Sequence, residues 1–147
     1  MLNALLPLAV LVLTAGLIWW LGSGSFGRSQ TQVWIDKLAH RSPRLHAFLD
    51  YHHGKFRAAM HYVEFGGLFL VLYWLYDAWF GAGAFAFRWL PAGVIALLCA
   101  AAAYLDEIHQ LRSGTREFRT VDFLHSCCGI TIAMAAVFWQ AWWRSVY

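Results

Sequence analysis

Charge is scarce in this sequence. Only 13% of its 147 residues are Asp, Glu, Lys or Arg, against 61% hydrophobic residues, a balance that excludes an ordinary soluble globular domain. Cysteine is rarer still. Cys99, Cys127 and Cys128 are the only three, too few for a disulfide framework and lacking the C-x-x-C spacing of a zinc or redox motif. All three fall inside apolar runs and are read as small packing residues, since a thiolate without a partner is costly away from water. There is no internal repeat and no low-complexity tract. No Ser or Cys sits in an elbow motif, which argues against a serine-type acyl-enzyme. Nor is there a separate basic module, so nucleic acid is not expected as a partner despite the net charge of +3.

What is present is apolar sequence in long runs. A bilayer core of about 30 Å requires about 20 mostly apolar residues per helix. Four runs meet that length: 2–22, 60–80, 89–110 and 121–143. The first lacks a basic flank and a small-residue cleavage site, so it is read as a retained helix and not a removed signal peptide. Trp19, Trp20, Trp34, Trp79, Trp89, Trp142 and Trp143 stand near the ends of these runs, where aromatic side chains mark the membrane interface. The expected fold is therefore all-α: one membrane domain over 1–147, a bundle of four transmembrane helices. The polar segment 23–59 opens in the Gly-Ser-Gly-Ser run of residues 22–25. It then alternates apolar and basic residues through VWIDKLAH and SPRLHAFLDYHH, as expected for short interfacial helices separated at Ser42-Pro43.

The basic residues are unevenly shared between the two ends. Arg28, Lys37, Arg41, Arg44, Lys55, Arg57, Arg112, Arg116 and Arg119 fall in the first and third connections or at their edges, whereas the other side has Arg88 and Arg144. The positive-inside rule would make the basic end cytoplasmic and leave both termini outside. Arginines that bind an anionic headgroup would give the same pattern.

The remaining polar residues recur with helical spacing. His61 and Glu64, Asp106 and His109, and Asp122 and His125 are each three apart, so each pair shares a helix face. Gln110 lies on the face of Asp106, and Ser126 and Gly129 on that of Asp122. In an up-down bundle the pairs meet at one membrane end, together with Glu107 and with Arg116 on the connection between the last two helices. A charge at mid-bilayer costs roughly 2.5–3.5 kcal/mol on insertion scales. Near the interface the cost is lower, but such a cluster still requires mutual pairing or a function. The simplest structural role is helix association, where each polar contact contributes about 0.6 kcal/mol on average.

At these residues the sequence resembles a known family, the VanZ-like (teicoplanin-resistance-like) membrane proteins. The similarity runs from Lys55 to the end of the fourth run. It rests on a basic residue followed by His61-Tyr-Val-Glu64-Phe, on Asp106-Glu107-Ile-His109-Gln110, and on Arg116, Asp122 and Gly129 in the family's register. Two positions depart from it. His125 stands where the family has Asn, and Gly114-Thr115 where it has Pro-Gly before the arginine. The resemblance implies a small multi-pass protein of the bacterial inner (plasma) membrane, linked to the cell envelope.

Three functions follow as expectations. In the first, an intramembrane enzyme acts on a lipid or lipid-linked envelope substrate. Its catalytic candidates are His61, Glu64, Asp106, Glu107, His109 and Asp122, with Glu64 or Glu107 as general base and His61 or His109 moving a proton. Gln110, Arg116 and His125 are the substrate-binding candidates, Arg116 holding a phosphate or carboxylate headgroup. Zinc held by His61, Glu64, His109 and Asp122 is an alternative use of the same donors. In the second, the chain is a non-catalytic accessory or assembly subunit of a larger respiratory or photosynthetic membrane complex. In the third, His61 and His125 ligate a haem or chlorin between helices.

Overall fold

The computed structural model describes residues 2–22, 33, 36–37, 42–80, 87–112 and 119–146. Four helices make up nearly all of them: α1 (Leu2–Gly22), α2 (Pro43–Phe80), α3 (Trp89–Arg112) and α4 (Thr120–Val146). No strand occurs among the described residues. Three stretches are long and apolar enough to cross a membrane, Gly54–Phe80 of α2 and the whole of α3 and α4. Their outward faces carry Val63, Leu70, Leu97, Leu98, Ile132 and Trp139, all exposed. An apolar exterior of this extent matches hydrocarbon and not water as the surrounding solvent.

The helix boundaries have local causes. Pro43 occupies the first position of α2, where its missing N–H costs nothing, and the Ser42 hydroxyl accepts a hydrogen bond from the Leu45 N–H at 3.3 Å. α3 tolerates Pro91 within its first turn for the same reason. α4 opens with the Arg119 carbonyl accepting from the amides of Asp122 (2.9 Å) and Phe123 (3.3 Å). This places the Asp122 carboxylate in the first turn, at the positive end of the helix dipole.

One boundary differs from the sequence expectation. The second helix starts at Pro43 and not near residue 60, so SPRLHAFLDYHH is no separate interfacial helix but the first turns of a continuous 38-residue α2. Between Pro43 and Phe80 there is no further proline, and Gly54, the one glycine of residues 43–59, sits within the helix. Nothing in that stretch stops the hydrogen-bond ladder, so it continues past the end of the apolar run. Of VWIDKLAH, only Val33, Asp36 and Lys37 are among the described residues.

α2 and α4 form the most extensive helix pair, α1 packs mainly on α2, and α3 joins both α2 and α4. Phe65, Phe69 and Tyr73 of α2, Ala92, Ile95, Cys99 and Ala103 of α3, and Ile130, Ala133 and Val137 of α4 make the buried core. Cys99 is thus a packing residue, Cys127 is half-buried and Cys128 exposed, all three as free thiols. Leu11 and Ile18 of α1 pack at the edge of the core.

α2 and α4 run parallel, since Arg57 meets Asp122 and His61 meets Ser126, while α3 returns between them. At the end away from these pairs, the buried Tyr73 hydroxyl accepts a hydrogen bond from the Arg88 amide at 2.9 Å. The Arg88 guanidinium donates to the Tyr76 hydroxyl (3.3 Å) and the Phe80 carbonyl (3.4 Å). These bonds pin the start of α3 to the end of α2. Tyr73→Phe removes the acceptor for the Arg88 amide and should lower stability by about 1 kcal/mol, read as an unfolding midpoint in detergent; an unchanged midpoint would show that water satisfies this amide.

Candidate functional site

The polar site is built where α2 begins its apolar span, α3 ends and α4 begins. On α2, Arg57, His61 and Glu64 follow at intervals of four and three, which places them on one helix face. The face turns toward α4 because of a backbone contact. A Cβ added to Gly129 would lie 2.5 Å from the carbonyl oxygen of Tyr62, and one added to Gly66 would lie 2.9 Å from the carbonyl oxygen of Gly129. Only glycine lets the two helices approach this closely. One turn or two before that crossing, the polar side chains of α2 and α4 are brought face to face.

Arg57 and Asp122 form a hydrogen-bonded ion pair with side-chain exposures of 13% and 5%. A carboxylate and a guanidinium this far from solvent stabilise each other only while both are present. His61, also buried, has its Nδ1 3.4 Å from the Ser126 hydroxyl and 3.8 Å from Glu64 Oε2. Ser126 donates its proton to the Asp122 carbonyl at 3.1 Å, so its oxygen faces His61 as an acceptor.

α3 contributes Glu107, only 2% exposed. Its Oε2 accepts the Arg119 backbone N–H at 3.2 Å, tying the end of α3 to the start of α4. Its Oε1 is buried and makes no hydrogen bond. One donor atom from each of His61, Glu107 and Asp122 lies within 4.8 Å of the other two. This triad, with Arg57 and Glu64 beside it, is the centre of the site.

The other sequence-derived candidates are distributed around that centre. His125 is half-buried, with Nδ1 4.0 Å from Asp122 Oδ1 and its ring 5.4 Å from that of Tyr62. Gln110 is buried and donates to Asp106 Oδ2 at 2.6 Å. His109 leaves the cluster for the α1 side, where its ring stacks on Trp19 at 4.4 Å. The donor set His61, Glu64, His109 and Asp122 is therefore not assembled as one group, and Glu107 takes the place assigned to His109. Arg116 belongs to 113–118 and lies outside the described residues.

Sequence reasoning grouped Arg57 with the topology-determining charges and did not place it in the site. Its position four residues before His61 was the available signal, since residues at i and i+4 share a face.

A second feature lies along the same seam. A groove of about 560 Å³ opens between α3 and α4, lined mainly by apolar groups including Leu97, Ala100, Cys127, Ile130 and Met134. On α3 it ends at Ala100, two turns before Glu107. On α4 it ends at Cys127, about one and a half turns after Asp122. A charged site and an apolar trough thus share the α3–α4 interface, one near the membrane end and the other toward the bilayer interior.

No family model matches the chain, and no curated protein or solved structure is significantly similar to it.

Proposed function

We propose that this chain is a VanZ-like integral membrane protein of the bacterial inner membrane, and that its polar site acts on the headgroup of a lipid or lipid-linked envelope substrate. In this reading α1 spans the bilayer as the fourth transmembrane helix; its 21 residues give about 30 Å of length. The observation that carries the reading is the joint placement of a buried ionic cluster at one membrane end and an apolar groove along the same helix seam. An amphiphile needs both surfaces. Its chain lies in the groove between α3 and α4, and its polar end reaches Glu107, His61 and the Arg57–Asp122 pair.

Each residue then has a role set by its surroundings. Glu107 is the general base, because one oxygen is fixed by the Arg119 amide while the other has no hydrogen bond. His61 moves the proton onward, with Glu64 3.8 Å from its ring. Asp122 holds Arg57 in place, and Arg116, Gln110 and His125 receive the headgroup.

The test is lipid turnover. Wild-type protein in nanodiscs made from a total bacterial lipid extract should consume one lipid species, followed by mass spectrometry of the extracted lipids. Glu107→Gln should slow that loss by about 100-fold or more while the protein remains folded. Equal turnover by the wild type and by Glu107→Gln would refute the assignment.

A further inference from the structure

We infer that His61, Glu107 and Asp122 form a binding site for one divalent transition-metal cation, zinc or manganese. This inference does not depend on the lipid reading, and in the metal-loaded protein Glu107 is a ligand of the ion in place of the general base.

The three residues come from three different helices, α2, α3 and α4, yet offer one donor atom each within a mutual separation of 4.8 Å. Zinc bonds to nitrogen and carboxylate oxygen are about 2.0–2.2 Å long, so donors around one ion lie some 3–4 Å apart. Separations of up to 4.8 Å would have to shorten by as much as about 1–2 Å to close the triad on an ion, a change that side-chain rotations can supply. One imidazole nitrogen and two carboxylate oxygens suit zinc or manganese, and three protein ligands leave a coordination position open, as catalytic metal sites do.

A Glu107 oxygen also points to a cation. Glu107 is 2% exposed and its Oε1 has no hydrogen-bond partner. A buried carboxylate oxygen without a donor is costly. Coordination to a cation would satisfy it without displacing the Arg119 amide from Oε2.

A cation also suits the donors. Glu107 and Asp122 are both buried carboxylates, and carboxylate oxygens beside an imidazole nitrogen are the donors such an ion takes. Asp122 can serve the ion and Arg57 together, since its two oxygens offer about four lone-pair sites. Glu64, with its oxygen 3.8 Å from His61 Nδ1, has the position of the carboxylate that orients a metal-bound imidazole.

The experiment is metal uptake by the purified full chain. Protein stripped with chelator is dialysed against Zn²⁺ or Mn²⁺ alone, freed of excess ion by gel filtration, and analysed for metal and for melting temperature. The wild type should retain one ion per chain and melt higher with the ion than without it. His61→Gln and Glu107→Gln should bind more than about 100-fold more weakly, and Glu64→Gln about 10- to 100-fold more weakly. His52→Ala, which removes a histidine packed against Phe48 and Tyr51, should retain the ion. Melting without metal separates loss of a ligand from loss of the fold, and Gln preserves the shape of Glu107. A wild type that retains neither ion, or a Glu107→Gln variant that holds as much as the wild type, overturns the inference. Metal uptake without lipid turnover would leave this site standing and refute the enzymatic reading alone.

Discussion

Asp122→Ala will destabilise the protein by about 3–5 kcal/mol, because it leaves the Arg57 guanidinium in the helix bundle with its counter-charge removed. Arg57 is 13% exposed at its side chain and its Nε already lacks a hydrogen bond, so the orphaned cation has little water to turn to. The same substitution leaves the Ser126 bond to the Asp122 backbone carbonyl in place, and the loss therefore reports the ion pair. A double variant separates the pair's net value from the cost of breaking it. Arg57→Met with Asp122→Leu removes both charges, fills similar volume and should recover more than half of the loss, since buried pairs replaced by packed apolar residues are often neutral. Both effects can be read from equilibrium unfolding in mixed micelles. A double variant no more stable than Asp122→Ala would mean that the pair is not what the single variant disrupts.

Gly129→Leu will prevent the bundle from assembling, and Gly129→Ala will destabilise it by about 1–3 kcal/mol, the range for overpacking a tight interior. The reason is backbone against backbone. A Cβ at 129 would lie 2.5 Å from the Tyr62 carbonyl oxygen and 2.7 Å from the Tyr62 Cα, and neither atom can rotate away as a flexible side chain could. The helices would have to separate, which pulls Ser126 from His61 and Asp122 from Arg57. Gly129→Ala should thus lower metal uptake and lipid turnover together with stability. Gly67→Ala is the control: it lies on the same helix as Gly66, but a Cβ there meets nothing within 4 Å. A Gly129→Ala protein with wild-type unfolding would show that the crossing is looser than its geometry implies.

The legible part of the fold was the part governed by lipid. Apolar length placed the third run at 89–110 and the fourth at 121–143, against α3 at Trp89–Arg112 and α4 at Thr120–Val146. The start of α2 was not legible, because apolar length marks where a helix enters the membrane and not where its hydrogen bonds begin. Pro43 and the Ser42 cap set that start, and they lie in sequence too polar to register as a span.

The site divides along a similar line. Spacing of three residues put His61 near Glu64 and Asp122 near His125, and both contacts occur, at 3.8 and 4.0 Å. The same rule applied to Asp106 and His109 did not bring His109 into the centre. Periodicity tells which residues share a face, but the neighbour that face meets depends on packing. The end of α3 touches three partners at once, so Glu107 turns inward to α2 and α4 while His109 meets Trp19 of α1. Arg57 was hidden for a different reason, since a basic residue at a membrane boundary also serves orientation.

A lipid-directed site should be visible in what the purified protein holds. Native mass spectrometry of the chain from mild detergent should show a single polypeptide carrying one enriched anionic or isoprenoid lipid, and that lipid should be reduced in Asp122→Asn. A stoichiometric second polypeptide, with the same mixed lipids on the wild type and the variant, would contradict a lipid-directed site and favour an accessory subunit of a larger membrane complex.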